Sequence, residues 1–232
     1  MNPLRPVFLI SGLLLPFLAC QKPATAPAPK PMADPLVVEI RAEPGEATIL
    51  LDGKAMGPTP QTLTVDGADG LVGLQATRGQ EGLAEKRVRF LAQDKAEVIF
   101  RFGSDRSSLA KALGLSTILV FDYGGGYTFD VNKFDVKPDF IPLLDRQAQL
   151  LKKHFPDVDV FVCGHTDSTG NDESNLVLSL NRAKSVAETL AGKAVDKTHL
   201  KIQGLGSQYP LVDNASPEGR ARNRRTEVIL PQ

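Results

Sequence analysis

The stretch VDVFVCGHTDSTGNDESNLVLSLNRAKSVAETLA, residues 158–191, decides the architecture of the C-terminal half. Val158 to Cys163 is an almost continuous apolar run, the pattern of a central strand covered on both faces. After the turn residues GHTDSTG comes a helix over about Glu173–Ala191. At 100° per residue, Leu176, Leu180, Ala183, Ala187 and Leu190 gather on one side, the expected core face. Asn175, Ser179 and Arg182 share the neighbouring stripe, with Leu178 at its edge. If GHTDSTG folds over the start of this helix, Asp167 faces Asn175 and Arg182, beside helix-start N–H groups able to bind an anion.

Outward from this unit the elements alternate. YTFDV reads as a strand ending at Asp130, followed by a helix from about Pro138, where Phe140, Ile141, Leu144, Ala148 and Leu151 recur at three and four. HLKIQGLG gives a third strand and TEVIL a last one, so residues 127–232 form a β-α-β-α-β-β mixed sheet with helices packed on it, an α+β fold. Residues 104–126 connect this to what precedes, with SLAKALG as a short helix, STILVF as a strand and Gly124 to Gly126 as a flexible turn.

Residues 36–103 consist of short β-rich runs, VVEIRA, ATILL, QTLTV, GLQAT, KRVRF and AEVIFRF, which describe a small all-β domain. Asp52-Gly53 between two runs is a hairpin signal, because that turn needs positive φ at both central residues. No titratable constellation occurs in this region, and a spacer or docking role is expected of it.

Residues 1–19 combine Arg5 with an apolar segment from Pro6 to Ala19, too short as a helix to span about 30 Å of hydrocarbon. They read as a secretory signal peptide. Phe17-Leu18-Ala19-Cys20 resembles a bacterial lipobox, which makes Cys20 the expected lipidation site and new first residue, with Phe17 departing from the usual aliphatic residue. The alternative is an ordinary signal peptide with an incidental Cys20. An acylated Cys20 would leave Cys163 without an intramolecular partner, and Cys163 is expected to be a buried strand residue. Residues 20–35 form a Pro/Ala-rich linker with prolines at 23, 27, 29, 31 and 35, a semi-rigid tether from a membrane anchor. Gln21 stands where aspartate would mark inner-membrane retention in lipoproteins of enteric bacteria, so by that analogy the outer membrane is the expected destination, with the protein facing the periplasm.

Arginine and lysine number 27 against 27 acidic residues, so no global field attracts nucleic acid. A charged partner must be recognised locally. An acceptor-only carboxylate facing a guanidinium fork suits an amino acid head group: Arg182 can hold its carboxylate by two parallel bonds and Asp167 can accept from its ammonium.

With GRARNRR at 219–225, the stretch from Gly164 to Arg182 resembles the OmpA-like peptidoglycan-binding domain over roughly residues 115–230. The resemblance implies that Asp167 and Arg182 grip meso-diaminopimelate in the peptide stem of peptidoglycan. It further implies that Asn175, Thr166 and Leu178 line the pocket, that Arg224 adds a carboxylate contact, and that Phe129 and Asp130 match the edge of the family's first strand. Gly219 and Asn223 read as structural, and Arg225 as a surface salt-bridge residue. EPGEATILLDGKAMGPTPQTL, within residues 43–63, resembles the PEGA domain.

Taken singly, Asp167 is more simply an Asx-turn cap and Arg182 a solvated helix residue. The expected function is a non-enzymatic lipoprotein that holds peptidoglycan to the outer membrane, with no cofactor. The alternative is a lipoprotein that docks envelope protein partners on the same fold. An enzyme is the third class. His154, His165 and His199 show no paired metal-ligand spacing, and no Ser-His-Asp or Cys-His arrangement can be argued, so no catalytic or metal-binding residue is expected.

Overall fold

The computed structural model describes residues 35–92, 94–103, 108–124, 128–130 and 132–232. The expected signal peptide, Cys20 and all of the linker before Pro35 lie outside them.

Strand β1 (Pro35–Glu43) alternates exposed and buried residues, with Leu36, Val38 and Ile40 inward, the period of two of a strand covered on one face. Strands β2 (Thr48–Leu51) and β3 (Lys54–Pro58) form a hairpin in which Asp52 and Gly53 take φ of 51° and 79°. Both central residues are thus in the left-handed region that the sequence signal requires. Strand β4 (Gln61–Asp66) returns antiparallel to β1. Helix α1 (Gly67–Gly73) then buries Ala68 and Leu71, so the region expected to be all-β contains a helix. Its terminal carbonyls are satisfied from a distance. The Lys86 ammonium donates to the carbonyls of Leu71 (2.6 Å), Val72 (3.4 Å) and Leu74. A buried cation at a helix C-terminus satisfies orphan carbonyls that no local pattern provides for. Strand β5 (Leu74–Thr77) completes a three-stranded sheet of order β3-β2-β5. Strands β6 (Leu83–Phe90) and β7 (Lys95–Phe102) then pair antiparallel.

The C-terminal half begins with helix α2 (Ser108–Ala112) and strand β8 (Ile118–Gly124). A short 3-10 turn (Pro138–Phe140) leads into α3 (Ile141–His154), and then come β9 (Val160–His165), α4 (Asp172–Gly192), β10 (Leu200–Gly204), α5 (Pro217–Asn223) and β11 (Arg225–Pro231). One expected strand is misplaced. Thr128–Asp130 form no strand, and Phe129 turns inward instead. The strand of that position lies earlier, because β8 finds a complete antiparallel ladder on β11, from Ile118 opposite Pro231 to Gly124 opposite Arg225.

The strand order β10-β9-β11-β8-β6-β7-β1-β4 joins both halves in one eight-stranded mixed sheet. The junction is the parallel pairing of β6 with β8, from Glu85 opposite Ile118 to Arg89 opposite Asp122. The described residues accordingly make one compact unit. Alternation along β8 splits the core between the faces of the sheet. Leu119, Phe121 and Tyr123 join the larger cluster with Leu144, Leu151 and Leu190 of α3 and α4, whereas Ile118 and Val120 meet Leu109 and Ala110 of α2 together with Cys163 and Ile229.

Helix α4 buries Ala183, Ala187 and Leu190 of its expected core face, but its first turns depart from it. Asn175, Ser179, Arg182, Ala183, Val186, Ala187 and Leu190 are its buried residues, while Leu176 is 38% exposed. The reason is close approach. A Cβ on Gly164 would stand 2.0 Å from the Ser179 carbonyl oxygen, and one on Gly204 would stand 2.6 Å from the Leu180 amide nitrogen. The two glycines therefore let helix and strand approach closely, with Leu180 against Gly204 and Leu176 left at the rim against Gly206.

Among the described residues no helix is long and apolar enough to cross a membrane.

Candidate ligand-binding cleft

The cleft is built where β9 ends and where α4 and β11 begin. Beyond Gly164, the Thr166 amide donates to the Gly206 carbonyl (2.9 Å) and the Gly206 amide to Ser179 Oγ (3.0 Å), which fixes the loop after β9 on the first turns of α4. Asp167 Oδ1 accepts from the Thr169 amide at 2.8 Å, an Asx turn, and Oδ2 accepts from Arg224 Nη1 at 2.7 Å. The turn-cap and charged-pair readings of Asp167 therefore both describe it, one on each oxygen. Burial would raise its pKa, but the Arg224 hydrogen bond and the Thr169 amide outweigh that and hold the carboxyl below the usual range.

Arg182 is 4% exposed. Its Nε donates to the Lys133 carbonyl at 3.1 Å, and its guanidinium lies 5.1 Å over the Phe129 ring, a cation–π placement. Among the described residues no other hydrogen bond holds it. Burial and the neighbouring Arg224 charge lower its pKa, and Asp167 raises it. Asn175 Nδ2 donates to the Thr169 carbonyl at 3.0 Å. Thr166 Oγ1 is buried without a hydrogen-bond partner.

Asp167, Arg182, Asn175, Thr166, Leu178, Arg224, Phe129 and Asp130, the eight residues singled out from sequence, all line this one cleft of about 390 Å³. Asp130 sits at its edge, exposed, with Lys137 (3.2 Å) and Lys133 (3.4 Å) on its carboxylate. One expected contribution is absent. Asn171 caps α4, and its Oδ1 takes the amides of Glu173 (2.8 Å) and Ser174 (3.2 Å), so these helix-start donors are already satisfied.

Sequence reasoning missed Asn132, Thr169 and Arg220, which also line the cleft. Arg220 lies one helical turn before Arg224 and donates to the carbonyls of Asn214 (2.9 Å) and Ala215 (3.1 Å). That i, i+4 spacing was a readable signal. Asn132 takes a φ of 57°, a left-handed conformation in which asparagine is enriched.

Behind the cleft is a second charged cluster, and here Arg225 departs from expectation. It is 2% exposed, because β11 alternates and Arg225, unlike Arg224, points into the sheet face shared with Glu227. Arg225 Nε reaches Glu227 at 2.8 Å. Arg87 from β6 reaches Glu227 (2.6 Å), Glu85 (2.7 Å) and Asp122 (3.4 Å). Burial opposes the Arg87 charge, but Glu227, Glu85 and Asp122 together raise its pKa. His165 Nε2 stands 3.3 Å from Glu227 Oε2 without hydrogen-bond geometry, and burial pushes the imidazole down to about 4. Gly219 and Asn223 do hold structure. A Cβ on Gly219 would stand 2.0 Å from the Asp213 carbonyl oxygen, and Asn223 Oδ1 accepts from the amides of Leu211 (2.8 Å) and Val212 (3.1 Å).

The three histidines lie apart: His154 is on Asp69 (2.8 Å), His199 on Asp159 (3.1 Å) and His165 in the buried cluster. Among the described residues no group of three or more His, Cys, Asp or Glu could hold a metal ion. Cys163 is buried and free, with its thiol pushed far up by burial.

The mixed-sheet α+β domain thus sets a fixed acid, a fixed guanidinium and an unsatisfied hydroxyl around one polar cleft. Residues 128–224 match the OmpA family, so the chain carries an OmpA-family domain there. The chain is 41% identical over 107 residues to peptidoglycan-binding protein ArfA of Mycobacterium tuberculosis, covering 46% of this chain and 32% of that one. It is 38% identical over 112 residues to the probable lipoprotein YiaD of Escherichia coli, covering 48% of this chain and 51% of that one. The chain thus spans a third to a half of these relatives' lengths. Among solved structures, the cell wall anchor of the type VI secretion system from Pseudomonas aeruginosa aligns at 31% identity with a TM-score of 0.45, over 54% of this chain and 98% of that one.

Proposed function

We propose that this protein is a non-enzymatic wall-binding lipoprotein, whose cleft holds the meso-diaminopimelate of peptidoglycan stem peptides without covalent bonds. The observation that carries the reading is the meeting of Asp167 and Arg182 in one cleft with six further residues picked out by the same resemblance. Asp167 takes the ligand ammonium. Arg182, with Nε committed to Lys133, takes the carboxylate through its terminal nitrogens. Thr166 Oγ1 and Asn175 are placed for the amide groups between. The printed name of the ArfA relative supports peptidoglycan as the polymer. Cys20 is the lipid attachment point in an outer membrane facing the periplasm, and residues 36–103 extend the wall-binding sheet as a rigid arm. Palmitate labelling of wild type and Cys20→Ser checks the anchor.

Calorimetric titration of the full chain in detergent with the tripeptide L-alanyl-D-glutamyl-meso-diaminopimelate tests the cleft. Wild type binds, and Asp167→Ala and Arg182→Ala each lose at least about a hundredfold in affinity while keeping their circular dichroism, since each removes a charge-assisted bond in a largely buried setting. Normal binding by both folded variants would place the ligand elsewhere.

A further inference from the structure

Within the cleft the acid already has partners of its own. Both Asp167 oxygens are engaged, Oδ1 by the Thr169 amide (2.8 Å) and Oδ2 by Arg224 (2.7 Å). The two partners of the ion pair differ in freedom: the Asp167 side chain is 11% exposed and fixed by its turn, whereas that of Arg224 is 42% exposed. Arg224 is also close enough to Arg182 to lower its pKa. Arg220 adds a third guanidinium to the lining, against Asp167 and the lysine-paired Asp130.

From this we infer that Arg224 is a specificity-determining residue: an internal cation on Asp167 that makes the cleft demand a carboxylate together with an ammonium, and rejects a ligand bearing the ammonium alone. The inference rests on the reading of the cleft given above. An incoming ammonium must displace or share Arg224 on Asp167. A lone amine brings no anion, so the displaced guanidinium is left beside Arg182 and the new cation, and like charges held close together repel. An amine with a carboxylate on the same carbon supplies that anion. Arg224 moves from Asp167 to the ligand carboxylate and shares it with Arg182, so no charge is left uncompensated. Diaminopimelate carries amine and carboxylate on its distal carbon, whereas lysine at the same place in a stem peptide carries the amine alone. Arg224 therefore weakens both ligands by occupying the acid, and it repays only the first.

The test compares full-length wild type, Arg224→Gln and Arg224→Lys in detergent, titrated with the diaminopimelate tripeptide and with its lysine counterpart. Wild type is expected to prefer the diaminopimelate peptide by at least about a hundredfold. In Arg224→Gln the diaminopimelate peptide weakens about tenfold, through loss of one charge-assisted bond, while the lysine peptide binds more tightly, so the preference narrows by more than about tenfold, to what Arg182 alone supplies. Arg224→Lys keeps the charge and most of the preference. An intact preference in folded Arg224→Gln, or an equal weakening of both peptides, overturns the inference and leaves the cleft's function standing. A wild type that binds neither peptide overturns the cleft's function itself.

Discussion

Arg224 and Arg225 are neighbours in the chain and end in opposite situations. Arg224 is half-exposed and leans across an open cleft to Asp167, while Arg225 is sealed in the sheet against Glu227. The buried cluster sets Glu85, Asp122 and Glu227 against Arg87, Arg225 and the partly exposed Arg101, so its charges are matched within the fold. The cleft has more guanidinium than free carboxylate and an unpartnered hydroxyl, and in the proposed function a ligand completes its charges. A matched, dry network holds structure together, and an unmatched, wet one is poised for a ligand.

Breaking the sealed side should have the largest effect. Arg87→Met leaves three buried acids facing Arg225 and Arg101 and is expected to cost about 3–5 kcal/mol, read as a lower urea midpoint. The same step removes the contact that ties β6 to β11. A fragment restricted to 104–232 would lack both Arg87 and the β6 partner of β8, which is why the full chain is the right material for binding work.

Titration separates the two clusters next. The folded His165 pKa of about 4 lies below its ordinary 6.5, so between those values the unfolded chain binds more protons. Stability should fall as pH drops from about 6.5 to 4, and a His165→Asn variant should show a flatter melting profile there. Asp167 acts further down. Its carboxyl is held below its ordinary value of 3.8, so its contribution is full above that value and is lost only as pH falls through the depressed folded value. The smallest effect is expected at the helix that carries Arg182. Asn171→Ala removes its N-cap and should cost about 1 kcal/mol of thermal stability, with ligand affinity changing far less than in the cleft variants.

The legible parts of this chain were local. The run from Val158 to Cys163, the three-and-four spacing before Leu151 and the Asp52-Gly53 turn each fix an element from its own residues. The cleft was legible because its acid and its arginine lie on one strand-turn-helix unit, with Arg224 supplied by a second recognisable motif. What escaped was non-local. KRVRF reads as a half-buried strand, and nothing in it says that Lys86 will satisfy a distant helix end or that Arg87 will meet acids on β8 and β11. The parallel register of β6 on β8 leaves no mark in either strand alone. Leu176 was assigned inward by periodicity, which cannot see that Gly164 and Gly204 let helix and strand approach closely and leave it at the rim. YTFDV has strand composition, but β11 pairs with β8 instead.

The central claim is that Asp167 and Arg182 form one clamp for the cell wall. Co-sedimentation of the full chain with purified diaminopimelate-type sacculi tests it most directly, with wild type compared against Asp167→Ala and Arg182→Ala, each verified as folded. The account predicts that wild type pellets with the sacculi and that both variants stay in the supernatant. Variants that pellet as wild type does would contradict it.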